Sequence, residues 1–230
     1  IKVNIVNYNQ YTPLYIALSN NHTEIVALLL AREDIMVNIK NKYDETPLHF
    51  ASLYGHPDIV ELLLAHPKIN VNINNESNET PLHIASLYGH TKIVELLLKR
   101  DEITVNVQNN LEETPLHMAS TAGHTKIVEL LLAHPKIKVN IQDNYNQTPL
   151  HIAVFKNNIK IVKLLLARKD INVDLIDNSR KNPLNIALTT RNTKIIKLLS
   201  EREDIMVNIQ NKNGDTPLHR ASSGSHTEIV

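Results

Sequence analysis

The chain has no cysteine and no tryptophan, and its 230 residues include only five glycines and two phenylalanines. The missing cysteine excludes disulfides, thiol nucleophiles and cysteine-ligated zinc. No apolar run approaches the roughly 20 residues that a membrane-spanning helix requires. The opening residues, IKVNIVNYNQ, lack the basic stretch and apolar core of a secretory signal. Charge of one sign is missing too: 24 Lys and Arg balance 24 Asp and Glu. No net field therefore draws the chain to nucleic acid or to an anionic membrane, although this leaves a local patch open. What remains, 42% hydrophobic and 21% charged residues, is the composition of a folded chain rather than a disordered one. Asn21, Asn75, Asn78 and Asn146 each open an N-x-S/T sequon. Two of these lie directly before a helix start, where a glycan would crowd the fold, so a cytoplasmic location is expected.

Self-similarity is the dominant signal. The threonine of a TPL triplet falls at 12, 46, 80, 114, 148 and 216, and Asn182 fills the remaining slot, giving a constant interval of 34 residues. A valine stands nine residues before each slot, from Val3 to Val207. Full units start at 12, 46, 80, 114, 148 and 182, with partial units at 1–11 and 216–230. The register leaves no room for a linker, so residues 1–230 read as one array. Both ends fall inside a unit, and the chain is expected to be a fragment of a longer protein.

Each unit reads as two helices and an extended loop. Thr80 suits an N-cap, and Pro81 suits the first helical position, where its missing N–H costs nothing. That helix should run to Tyr88 and stop at Gly89 in a left-handed conformation. A second start follows at Pro57 or Thr91, and IVELLL places Ile93, Leu96 and Leu97 on one face. Ile103, Val105 and Val107 then alternate along an extended segment. Such a unit cannot bury its own apolar face and must stack on its neighbours.

TPLHIASLYGHTKIVELLL resembles the ankyrin repeat almost position by position, and the resemblance covers the whole chain. It implies an all-α repeat solenoid of stacked helix-turn-helix units joined by β-hairpin-like loops. Two departures stand out. The period is 34 rather than 33, and the glycine two residues before the threonine survives only as Gly214. Elsewhere that slot holds Gln10, Asp44, Asn78, Glu112, Asn146 and Arg180. Glu and Arg enter the left-handed region at a cost of about 1–2 kcal/mol, so those two tips are expected to be reshaped. Unit 182–215 departs most, with Asn182, Asn185, Arg191 and Ser200 replacing threonine, histidine, glycine and leucine. Burying the Ser200 hydroxyl would sacrifice packing, and this unit is expected to be the weakest.

Chemistry finds little support. Histidines follow TPL at 49, 83, 117, 151 and 219, open the second helix at 22, 56, 90, 124 and 226, and recur at 66 and 134. The resemblance makes the first set structural, bonding within the loop and towards the threonine. Equivalent residues in stacked units lie about 10 Å apart, whereas zinc needs ligands about 2 Å from one ion. Ser52, Ser86, Ser120 and Ser222 recur in one slot, unlike a singular nucleophile, and no HExxH, GxSxG or P-loop pattern appears. No enzyme activity, metal or cofactor is expected.

If repetition marks architecture, function belongs where the units differ. The resemblance implies partner binding on a concave face built from the loop tips and first helices. Those slots lie four, three and one residues before the threonine, and seven and eight after it. Seven of the nine tyrosines and phenylalanines fall there: Tyr8, Tyr11, Tyr43, Tyr54, Tyr88, Tyr145 and Phe155. Aromatic rings give large contact area at low entropy cost. The expected contact residues are Tyr43, Glu45, Leu53, Tyr54, Glu79, Leu87, Tyr88, Leu111, Glu113, Tyr145 and Phe155. Glu45, Glu76, Glu79, Glu112 and Glu113 make the earlier tips acidic, whereas Lys156, Arg180, Lys181 and Arg191 reverse the sign. The expected partner is a protein with a basic, apolar-anchored segment, bound by a monomer; nucleic acid binding and membrane insertion are not expected. The rival readings are a targeting module of a larger enzyme or secreted effector, acting in a host cytosol, and a structural or self-associating array.

Overall fold

Leu14, Leu48, Leu82, Leu116, Leu150 and Leu184 occupy one slot, two residues after the repeating threonine or asparagine, and all six are fully buried. Around this leucine column the computed structural model builds helices only; the described residues, 2–224, contain no strand. The chain divides into two compact units, 1–110 and 111–230.

In the first unit, first and second helices alternate: α1 (Pro13–Ser19), α2 (Thr23–Leu30), α3 (Pro47–Tyr54), α4 (Pro57–Ala65), α5 (Pro81–Tyr88) and α6 (Thr91–Leu98). First helix packs on first helix, α1 on α3 on α5, and second on second, α2 on α4 on α6. The stacking buries Ile59 and Ile93, whereas Ile25 in the same slot of α2 is about half exposed. The second unit repeats the arrangement with α7 (Pro115–Ala122), α8 (Thr125–Ala133), α9 (Pro149–Phe155), α10 (Ile159–Leu166), α11 (Pro183–Thr189), α12 (Thr193–Ser200) and α13 (Pro217–Gly224).

The helix boundaries follow the sequence signals. Proline opens every first helix, and Gly55, Gly89 and Gly123 end α3, α5 and α7 with φ of 74°, 81° and 78°. At Gly55 a second requirement operates: a Cβ there would sit 2.4 Å from the His90 ring. Asn21, Asn157 and Arg191 take the same left-handed turn without glycine, at φ of 55°, 60° and 54°.

The loop tips at Glu112 and Arg180 are not reshaped. They adopt φ of 60° and 57°, as do Asp44, Asn78 and Asn146 at 59°, 57° and 56°. An Asx turn dictates the conformation. In the tip before Thr80, Asn75 Oδ1 accepts from the N–H of Ser77 and of Glu79, while Asn75 N–H donates to the Glu79 carbonyl at 2.9 Å. Asp177 does the same for Ser179 and Lys181, so the residue between them, Arg180, has its backbone fixed regardless of side chain. The Ser200 expectation is corrected as well. The residue is half-buried rather than buried, and its hydroxyl donates to the Lys197 carbonyl at 3.1 Å.

Candidate functional site

The TPLH histidines form the polar core beside which any binding surface is held. Thr46 N–H donates to His49 Nδ1 at 3.0 Å, and the Thr46 hydroxyl lies 2.8 Å from the same nitrogen. Nδ1 therefore accepts, and the ring proton belongs on Nε2, which donates to the Glu79 carbonyl at 2.9 Å. His83, His117 and His151 repeat the pattern, reaching the carbonyls of Val107, Gln147 and Lys181. Burial holds the His49 and His117 pKa down to about 4 and lowers that of His151, against which the Asp177 charge works. These rings are neutral bolts between a helix and the loop that follows it. In the first repeat Tyr15 takes the slot, and its hydroxyl lies between the carbonyls of Ile39 and Glu45. Burial raises its pKa.

A second ladder escaped the sequence reading although its period is the same. The asparagine after a recurring valine bridges to the next loop at Asn4, Asn38, Asn72 and Asn140. Asn38 donates to the Lys68 carbonyl at 2.7 Å and accepts from Asn70 N–H at 3.0 Å. Asn72 joins Glu102 to Thr104, and Asn140 joins Asp170 to Asn172.

Ser52, Ser86 and Ser120 are fully buried, with hydroxyls that have no hydrogen-bond partner, so no base is placed to activate them. Among the described residues no group of three His, Asp or Glu side chains is placed to hold a metal. His226 lies outside the described residues.

In the first unit, aromatic contacts tie a loop tip to the first helices. Tyr11 packs edge-on against Phe50 at 5.3 Å between centroids, and Phe50 meets Tyr54 at 5.4 Å. Tyr11 also stacks on buried Tyr15 at 5.5 Å, so it is half-buried scaffold rather than a free contact residue. Tyr54 and Tyr88 remain 49% and 53% exposed at the ends of the packed helices α3 and α5. Leu53 and Leu87 beside them are half-buried. Each tyrosine stacks on the histidine two residues later, Tyr54 on His56 at 6.1 Å and Tyr88 on His90 at 6.5 Å. His90 Nε2 donates in turn to the Leu53 carbonyl at 3.0 Å, which couples the two helix ends.

The tips of the same unit are also linked. Glu76 N–H donates to the Tyr43 carbonyl at 3.1 Å, and Tyr43 is exposed with the Lys42 ammonium 4.7 Å from its ring centre. Glu45 and Glu79 are half-buried and accept from Asn41 and Asn75 Nδ2 at 2.8 and 3.2 Å, so both carboxylates also brace their own loops.

In the second unit, Leu111 and Tyr145 are exposed at tips joined by backbone bonds, Asn144 N–H to Leu111 carbonyl and Asn178 N–H to Tyr145 carbonyl. Glu113 is half-buried, and Phe155 is exposed at the end of α9. Of the residues predicted from sequence, Tyr43 to Tyr88 belong to the first unit and Leu111 to Phe155 to the second.

A family model described as ankyrin repeats (three copies) matches residues 1–75, 36–109, 102–177 and 169–230. Among solved structures, the ankyrin repeat domain of Bcl-3, described as a unique member of the IkappaB protein family, superposes with a TM-score of 0.82 and 25% identity. The match covers 92% of this chain and 94% of that one. No curated protein sequence matches.

Proposed function

The chain belongs to the ankyrin repeat family, and on that premise we propose that it is a non-enzymatic protein-interaction module that binds a partner through loop tips and first helices. The observation that carries this reading is the pair Tyr54 and Tyr88. Each is a large ring, half exposed, held at the end of a helix whose packing and backbone are fixed by His90, Gly55 and Gly89. A ring presented this way loses little freedom on binding. Tyr43, Leu53 and Leu87 add apolar area, and the loop tips of the same unit contribute the carboxylates of Glu45, Glu76 and Glu79. The partner that suits this face is a protein segment with an apolar anchor flanked by Lys or Arg. In the second unit, Leu111, Glu113, Tyr145 and Phe155 offer further contacts. The array acts as a monomer, without metal or cofactor.

Affinity capture from cell extract with the immobilised wild-type chain, followed by titration of the captured protein, tests the proposal. Truncation of an aromatic anchor typically costs about 2 kcal/mol or more, so the Tyr54→Ala/Tyr88→Ala double variant should lose capture. Retention of the same protein at the same affinity would refute the assignment.

A further inference from the structure

The neutral total charge conceals one uneven stretch. Residues 156–200 hold ten Lys and Arg against three Asp, leaving fourteen basic and twenty-one acidic residues in the rest of the chain. Part of this excess lies on the second helices, which the proposed function does not use.

Comparison of one slot pair along the array shows what has changed. In α6 and α8 a lysine is followed three residues later by a glutamate, and the two form ion pairs: Lys92–Glu95 at 3.6 Å and Lys126–Glu129 at 3.0 Å. In α4 the same slots hold Asp58 and Glu61. In α10 both slots are lysine, Lys160 and Lys163, and in α12 both are lysine again, Lys194 and Lys197. All four are exposed, and no ion pair forms to any of them among the described residues. Lys pairs three apart lie about 5–6 Å from each other and repel. Since α10 and α12 pack side by side, at a typical spacing of about 8–10 Å, the four ammonium groups converge on one small surface. Arg168, beside this patch, is already committed to Asp170 and to the Leu132 carbonyl.

We propose that the α10–α12 face is a second docking surface, for a short acidic segment of a partner protein. A compact set of unpaired cations selects carboxylates by charge complementarity. A long polyanion fits less well, because beyond the patch it meets a chain with excess acid. Neither α10 nor α12 exposes a large apolar or aromatic side chain among the described residues, so there is nothing on which a nucleobase stacks and nothing that enters a bilayer.

The test is fluorescence anisotropy of the whole chain with a fluorescein-labelled oligoglutamate peptide, with duplex DNA and phosphatidylserine vesicles as parallel probes. The variant Lys163→Glu/Lys197→Glu reproduces the lysine-then-glutamate order of α6 and α8, so its melting temperature should equal or exceed that of the wild type. Surface charge pairs are individually weak, and reversing two charges at once should weaken peptide binding about tenfold, with the wild-type affinity itself falling as salt rises. The Tyr54→Ala/Tyr88→Ala variant should bind the peptide as the wild type does. Three results would overturn the proposal: no binding of peptide by the wild type, equal binding by the lysine variant, or tighter binding of DNA or vesicles than of peptide.

Discussion

Residues 80–98 and 182–200 build the same pair of helices, α5 with α6 and α11 with α12, but hold them by different means. In the earlier repeat Thr80 and His83 share a proton donor and acceptor set, and His83 bolts α5 to the Val107 carbonyl. In the later one Asn182 still caps its helix, accepting from Asn185 N–H at 2.9 Å. Asn185, in the bolt slot, is buried with both side-chain polar atoms unpartnered. The asparagine ladder changes beside it. Asp174 stands where asparagine does elsewhere, so it accepts from Met206 N–H at 2.8 Å but lacks the amide N–H with which the asparagines reach the next loop. The leucine two residues after the cap is equally buried in the two repeats, with Leu82 and Leu184 both fully buried. The difference is that stacked repeats draw register and local strength from polar bolts as well as from the leucine column.

Acid is the strongest way to break the comparison. In the unfolded chain a histidine protonates near pH 6.5, while the folded His49 and His117 stay neutral down to about 4. The unfolded state therefore binds more protons between these values. The stabilisation is complete above pH 6.5 and is lost as pH falls towards 4, at about 3 kcal/mol for each of these two rings. Lys40 works with burial at His49, and His151 works with it at His117. Asn185 contributes nothing to this loss. Urea unfolding followed from about pH 7 down to about pH 4.5 should show a steep decline; a flat profile would remove the neutral-bolt assignment.

Mutation sharpens the same contrast with a smaller effect. His83→Ala leaves a cavity and strips partners from buried groups, which should cost about 3 kcal/mol or more. Asn185→Ala removes amide atoms that already lack partners, and its cost should stay below about 1 kcal/mol. Chemical denaturation of the two variants decides the point, and equal losses would contradict it.

Much of this was legible beforehand, and the reasons are physical. The 34-residue interval, the proline starts and the glycine stops are local rules, and the helices begin and end where those rules place them. Tyr15 as a stand-in for the bolting histidine was not legible, because its role lies in reaching carbonyls 24 and 30 residues away. The tips at Glu112 and Arg180 misled for the opposite reason: side-chain preference predicted strain, but the Asx turn governs the backbone. Of the expected contact residues, Tyr43, Tyr54, Tyr88, Leu111, Tyr145 and Phe155 are exposed, whereas Glu45, Leu53, Glu79, Leu87 and Glu113 are half-buried. Tyr11, an aromatic in a variable slot, packs inward through a ring cluster that periodicity does not reveal.

The central claim is that recurring residues hold the array while variable exposed ones are free to bind. Thermal unfolding of the Tyr54→Ala/Tyr88→Ala variant tests it most directly. Loss of half-exposed rings should lower the melting temperature by only about 2–4 °C, the shift expected for about 1 kcal/mol in a chain of this size. A drop as large as that of His83→Ala would place both tyrosines in the architecture and contradict the account.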